Sequence, residues 1–132
     1  MRRRSTLRSA SAFFGFAIAV TTPILAGAAN FGGSWDFRGT MLPVETIAPV
    51  CVLRQSGSVI AGSCKGPAGI GSAQGSTSGS RVVLQWTRLA TSRLQNNSVV
   101  TFRGVVNGGS FSGTWTDSVF PGHAGTFAAR RI

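Results

Sequence analysis

The stretch from Cys51 to Cys64 constrains the fold of this chain more than any other, because it predicts one closed β-hairpin. Gly57-Ser58 lies midway between two runs of strand-forming residues and fits a two-residue type II′ turn, which takes Gly first. That turn pairs Ser56 with Val59 and sets the two cysteines directly opposite each other. Counted outward from the turn, they fall on a non-hydrogen-bonded pair, where side chains come close enough for a disulfide.

The same register sorts the hairpin into two faces. Leu53, Ile60 and both sulfurs share one face, which we expect to point into the core. A bridge that closes a loop of this size contributes roughly 3 kcal/mol if the chain-entropy description holds. Two free, buried thiols are the alternative interpretation of the same cysteines.

The rest of the chain alternates apolar and polar residues with the period of half-buried strands, after a flexible lead-in expected at residues 30–33. Gly79-Ser80, as a second turn of the same kind, places Leu84 opposite Gly75 and Trp86 opposite Ala73. Large residues then face small ones, as an interdigitated interior requires. Eight strands are predicted, at residues 34–42, 51–56, 59–64, 70–77, 81–89, 98–106, 110–117 and 125–131.

Eight short strands in succession, without helical periodicity, predict an all-β fold, an eight-stranded antiparallel up-and-down β-barrel. Closure removes the strand edges that an open meander would expose. Tight glycine turns alternate with four links predicted to be longer loops, at residues 43–49, 65–69, 90–97 and 118–124. The third tight turn is centred on either Asn107-Gly108 or Gly108-Gly109. One end of the barrel is therefore expected to carry turns and the other loops, and a ligand would enter at the loops.

The first 28 residues predict an export signal, which would leave residues 29–132 as a single β-barrel domain. An apolar run at residues 12–26 follows four arginines, and Ala26-Gly27-Ala28 matches a small-residue cleavage pattern, with cleavage after Ala28. Residues 3–8 loosely resemble a twin-arginine signal, so general secretion and twin-arginine export both stay open. The expected localisation is periplasmic or secreted, with no transmembrane segment after signal removal.

The chain is strongly basic, with a formal net charge of +10 at pH 7. Removal of the signal would leave nine basic and three acidic residues, a net charge of +6. Such a surface favours polyanions such as nucleic acid, anionic lipid headgroups or acidic glycans. The arginines are scattered, however, and no nucleic-acid motif is present, so a generally basic, solvated surface is the preferred interpretation.

Two short motifs carry a resemblance to known families. Gly33-Ser34-Trp35 looks like the Gly-x-Trp signature shared by lipocalins and avidins, and residues 122–127 resemble the last strand of avidin-type proteins. The resemblance implies a barrel of calycin type and, as in lipocalins, a basic residue over the Trp. Arg131 is the inward-facing candidate for that cation–π contact. The overall style resembles small exported bacterial barrels of unknown function.

The chain departs from the avidin pattern where biotin would bind. Ala124 stands where that family places a biotin-binding Asp, and Phe37 stands where it places a polar contact to the ureido group. The chain also has no Tyr, which the family uses. Biotin binding is therefore not expected. Some disulfide-bonded relatives of this shape inhibit proteases, but no inhibitor motif can be transferred to this chain.

No catalytic constellation is present, and we expect neither an enzyme nor a cofactor or metal site. Asp36, Glu45 and Asp117 are predicted to be solvated, and His123 lacks metal partners once the cysteines pair. The preferred function is a non-enzymatic barrel that binds a small ligand or a partner at its loop end, and a basic rim suggests an anionic group. The candidate rim and interior residues are Glu45, Lys65, Trp86, Arg88, Arg93, Trp115, Asp117 and His123. The alternative is a protein-interaction or inhibitor module whose interior is filled by side chains.

Overall fold

The computed structural model describes residues 30–41, 45–89, 97–119 and 122–132, and most of these residues form strands. The predicted export signal and its cleavage point after Ala28 lie outside them. Within the described ranges no helix is long and apolar enough to cross a membrane. The strands are β1 (Gly33–Met41), β2 (Glu45–Ile47), β3 (Val50–Ser56), β4 (Val59–Gly66), β5 (Gly69–Ser78), β6 (Arg81–Arg88), β7 (Ser98–Asn107), β8 (Ser110–Asp117) and β9 (Ala124–Arg131).

The strands form one closed antiparallel sheet, in which β1 pairs with β3 on one side and with β9 on the other. β2 and β3 act as a single strand interrupted near Pro49. Gly39 of β1 pairs with Ile47 of β2. Asp36, three residues earlier, pairs with Val50, three residues later, so one register runs through both segments. The predicted eight-stranded up-and-down barrel is therefore confirmed.

The disulfide hairpin has the predicted register. β3 and β4 pair with Ser56 opposite Val59 and Cys51 opposite Cys64. The two sulfurs are bonded at 2.02 Å, and both cysteines are buried in the barrel. Gly57 has a φ of +62°, the conformation that the first central residue of a type II′ turn requires. The interpretation as two free thiols is wrong.

Three tight turns gather at one end of the barrel, which we call the turn end. They are centred on Gly57-Ser58, Gly79-Ser80 and Gly108-Gly109. The last of these is decided by the pairing of Asn107 with Ser110, which leaves the two glycines between them. The opposite end, where the disulfide lies, is the loop end.

Two of the four long loops predicted for the loop end are wrong. Only residues 42–44 separate β1 from β2, and Pro67-Ala68 forms a tight turn between β4 and β5. The first error arises from Pro49, which cannot donate a backbone hydrogen bond but does not end the strand here. The longer links at this end are therefore those between β6 and β7 and between β8 and β9.

Aromatic side chains fill the middle of the barrel. Neighbouring ring centroids there lie 4.7 to 6.0 Å apart, a spacing typical of packed aromatic pairs. The predicted pairing of large with small residues is also confirmed, since Leu84 faces Gly75 and Trp86 faces Ala73. The rings of this cluster belong to Phe37, Phe102, Phe111 and Phe127.

Phe31 and Arg131 close the turn end. Phe31 is fully buried and stacks on Trp35, with 4.6 Å between the ring centroids. The Cζ atom of Arg131 lies 4.6 Å from the centroid of the Trp35 ring, and its guanidinium donates hydrogen bonds to the carbonyls of Gly32 and Asn30. The predicted cation–π contact is confirmed. The expectation of a flexible lead-in at residues 30–33 is wrong, because Phe31 is buried in the core and Gly33 already belongs to β1.

Candidate binding site at the loop end

The interior becomes polar at the loop end, because the alternation of two strands carries charged residues inward. β6 buries Trp86, so Arg88, two residues further along, also points into the barrel. β8 buries Trp115 and then Asp117 in the same way. β7 lies between these strands, and Ser98 at its start is also buried.

Arg88 and Asp117 form a buried ion pair. Nη2 of Arg88 donates to Oδ2 of Asp117, and the two side chains are only 5% and 0% exposed. Nε of Arg88 donates to the Ser98 hydroxyl at 2.9 Å, and Nη1 donates to the Ala68 carbonyl at 3.1 Å. Oδ1 of Asp117 accepts a hydrogen bond of 2.9 Å from the Val119 amide. The network links the ends of β6 and β8 to the start of β7 and to the β4–β5 turn.

This network compensates both charges inside the barrel. A buried ion is costly unless it is paired and its other hydrogen-bonding positions are used, and both conditions are met here. Arg88 is therefore not a solvated rim cation, and the prediction that Asp117 is solvated is wrong. The alternation of buried residues along β6 and β8 is the signal in the sequence that could have placed both side chains inside.

Trp86 and Trp115 are the next inward-facing residues of their strands, and both are fully buried. Neither indole N–H has a hydrogen-bond acceptor within the described part of the chain. A Cβ atom at Gly39 or Gly125 would come within 3.1 Å of the Trp115 nitrogen, so glycine backbone encloses that edge of the ring. The Arg88 guanidinium carbon lies 5.9 Å from the Trp86 ring centroid. Of the two indole N–H groups, the one that lies beside the polar network is therefore that of Trp86.

The remaining candidate residues from the sequence analysis are Glu45, Lys65, Arg93 and His123. Lys65 is exposed on the outer face of β4. His123 lies beside the network, since its carbonyl accepts a 3.1 Å hydrogen bond from the Asp117 amide. Arg93 lies outside the described residues, as does the side chain of Glu45.

Ser98 and Ala68 belong to the network, but the sequence analysis did not identify them. The inward parity of β7 could have identified Ser98, whereas nothing in the sequence marks the Ala68 carbonyl.

The described residues show which chemical groups the loop end can offer. Within the described ranges no group of three or more His, Cys, Asp or Glu side chains could hold a metal ion. The Asp117 carboxylate is occupied by Arg88 and by the Val119 amide. The barrel interior at the loop end holds a compensated ion pair beside the buried indole N–H of Trp86.

The fold and this site define the class of protein, a closed eight-stranded antiparallel barrel of calycin-like architecture with a polar loop end. No protein-family model matches the chain, and no curated protein matches it in sequence. The resemblance to lipocalins and avidins therefore rests on the architecture, the two short motifs and the contact between Trp35 and Arg131.

Proposed function

We propose that this protein is an exported, non-enzymatic barrel that binds a small molecule at its loop end. The supporting observation is the buried indole N–H of Trp86, which has no acceptor among the described residues and lies beside the Arg88–Asp117 pair. A buried donor without an acceptor costs about 1–3 kcal/mol. A ligand group that supplied an acceptor there would recover that free energy.

The ligand is expected to present an uncharged acceptor, such as a carbonyl or hydroxyl oxygen. The charge of Arg88 is compensated by Asp117, and its N–H groups also reach Ser98 and Ala68. Little positive potential is left for an anion at this point. An uncharged acceptor therefore replaces the anionic ligand group expected from the sequence, because that expectation rested on the number of basic residues near the rim.

Export forms part of the proposal for two reasons. Disulfides persist mainly in oxidising compartments, and Cys51 is bonded to Cys64. Residues 1–28 also have the pattern of a cleaved signal. Detection of the mature protein in a periplasmic or culture fraction, with residue 29 as its first residue, would test this part.

Native mass spectrometry of the protein purified from its own source tests the binding function. We expect a bound mass that collisional activation removes and that the Trp86→Phe variant lacks, since Phe keeps a ring but deletes the N–H. Thr77→Val is the matched control, because the Thr77 hydroxyl is also buried without an acceptor in the described part but lies near the turn end. A wild-type protein without a bound mass, or an equal bound mass in Trp86→Phe, would contradict the proposal.

The aromatic packing in the middle of the barrel favours a second function, an interaction module whose filled interior supports outer loops. In that case the wild-type protein carries no small molecule. Trp86→Phe then deletes an unsatisfied donor together with part of a fully buried ring, so it changes the free energy of unfolding but no bound mass. The same set of variants therefore separates the two functions.

A further inference from the structure

Aliphatic side chains form an exposed stripe on the outer face of β3, β4 and β5. Val50, Lys65 and Ile70 lie in one row across these strands, and Val52 is the next outward residue of β3. Leu89 extends the row, since its amide donates to the Ile70 carbonyl at 3.0 Å. We call Val50, Val52, Ile70 and Leu89 the aliphatic stripe, and their exposed fractions are 41%, 56%, 54% and 49%.

The stripe borders a shallow groove of about 300 Å³. Val50 and Val52 line it on the β3 side and Ile70 on the β5 side, with the small Ser63 of β4 between them. Several aliphatic side chains exposed around one groove mark an interaction site more often than isolated exposed residues do.

The same part of the barrel carries positive charge and no acid. Residues 50–89 contain no Asp or Glu. Arg54 and Lys65 are exposed beside the stripe. Asp36 of β1 pairs with Val50 across the adjoining strand, but its carboxylate is engaged by Arg38 at 3.3 Å. A partner that complements this face is therefore both anionic and apolar.

We propose that this face binds the surface of an anionic lipid bilayer, an interaction separate from the small-molecule function. Nucleic acids and acidic glycans would match the cations but leave the aliphatic side chains in water. A second copy of the chain would bring the same positive charge. An extended peptide would add to a free strand edge, whereas β3, β4 and β5 each have a partner on both sides. A bilayer places anionic headgroups beside acyl chains, and the convex wall can contact it through side chains alone.

Co-sedimentation with large unilamellar vesicles tests this proposal. We expect the protein to bind vesicles of phosphatidylcholine mixed two to one with phosphatidylglycerol, and not vesicles of pure phosphatidylcholine. Val52→Glu and Ile70→Glu should each lower the partition coefficient about tenfold or more, because a carboxylate then faces the headgroups. Val105→Glu is the matched control. Val105 is 46% exposed on β7, opposite β3 in the barrel, and the substitution changes the net charge equally.

Two outcomes would overturn the proposal. Equal losses in Val52→Glu and Val105→Glu would mean that diffuse charge attracts the protein without a preferred face. Absence of binding to the mixed vesicles would exclude a bilayer as the occupant and point to an acidic protein partner. Circular dichroism and an intact disulfide show that each variant is folded, and Trp86→Phe should leave vesicle binding unchanged.

Discussion

Arg88 and Asp117 lie on strands that are not neighbours, and their side chains meet inside the barrel across β7. The pair therefore connects β6 to β8 without using the backbone hydrogen bonds of the sheet. Its near-complete burial sets it apart from the exposed pair of Arg38 and Asp36 on the outer face of β1. Loss of the buried pair should therefore lower the free energy of unfolding far more than loss of the exposed pair.

Asp117→Ala is expected to lower the free energy of unfolding by about 3–5 kcal/mol, because it leaves the Arg88 charge buried without its partner. Urea denaturation measures the change. Asp36→Ala is the control and should stay within about 1 kcal/mol of wild type, as is usual for exposed ion pairs. The double variant Arg88→Met with Asp117→Leu should recover much of the loss. A double variant as unstable as Asp117→Ala would contradict this explanation.

Replacing both Cys51 and Cys64 by Ala should cost about 3 kcal/mol in urea denaturation, from the lost constraint on the unfolded chain. Amide exchange in the native protein should also accelerate more at one end of the hairpin than at the other. The bridge lies near the loop end, so the amides of Val50 and Lys65 should exchange faster than in wild type, whereas the Ser56 amide should change little. Uniform acceleration of exchange along both strands would disprove the local effect.

Gly71→Ala should destabilise the fold by about 3 kcal/mol or more, the upper range for overpacking. A Cβ atom there would lie 1.6 Å from the Thr87 carbonyl oxygen, which belongs to the backbone of the adjacent strand and cannot rotate away. Gly122→Ala is the matched control, because no atom of the described residues lies within 4 Å of its added Cβ. Thermal unfolding of the two variants should differ clearly, and similar melting temperatures would show that β5 and β6 can separate at low cost.

Arg131→Met should cost about 1–3 kcal/mol, because it removes the cation–π contact with Trp35 and the hydrogen bonds to the Gly32 and Asn30 carbonyls. Arg130→Met, on the exposed outer face, should stay within about 0.5 kcal/mol of wild type. Denaturation followed by tryptophan fluorescence measures both. If the two variants were equally stable, Arg131 would not hold the turn end closed.

The sequence predicted most where local geometry decides structure. A two-residue turn fixes the pairing of every residue in its hairpin, so the positions of Cys51 and Cys64 followed directly from Gly57-Ser58. Strand parity and the resemblance to lipocalins together predicted the contact between Arg131 and Trp35.

The predictions from sequence failed at residues whose place in the structure is unusual for their residue type. Pro49 concealed the short strand β2, because proline usually marks a break. Phe31 is a single buried ring in a glycine-rich segment, and one residue has no periodicity to detect. Asp117 was predicted to be solvated because it lies at the end of a strand, although the alternation of β8 places it inside. Its partner comes from a strand two positions away in the sheet, which local patterns do not encode.

Closure of the barrel joins distant parts of the chain, since Arg131 binds carbonyls 99 and 101 residues earlier in the sequence. The other strand pairings form between segments close in sequence and can arise early. The seam between β1 and β9 is the non-local step, and such steps slow folding. Until the last strand arrives, one edge of β1 is open to pairing with another chain. The rate at which this single seam closes should therefore set both the speed of folding and the chance of aggregation.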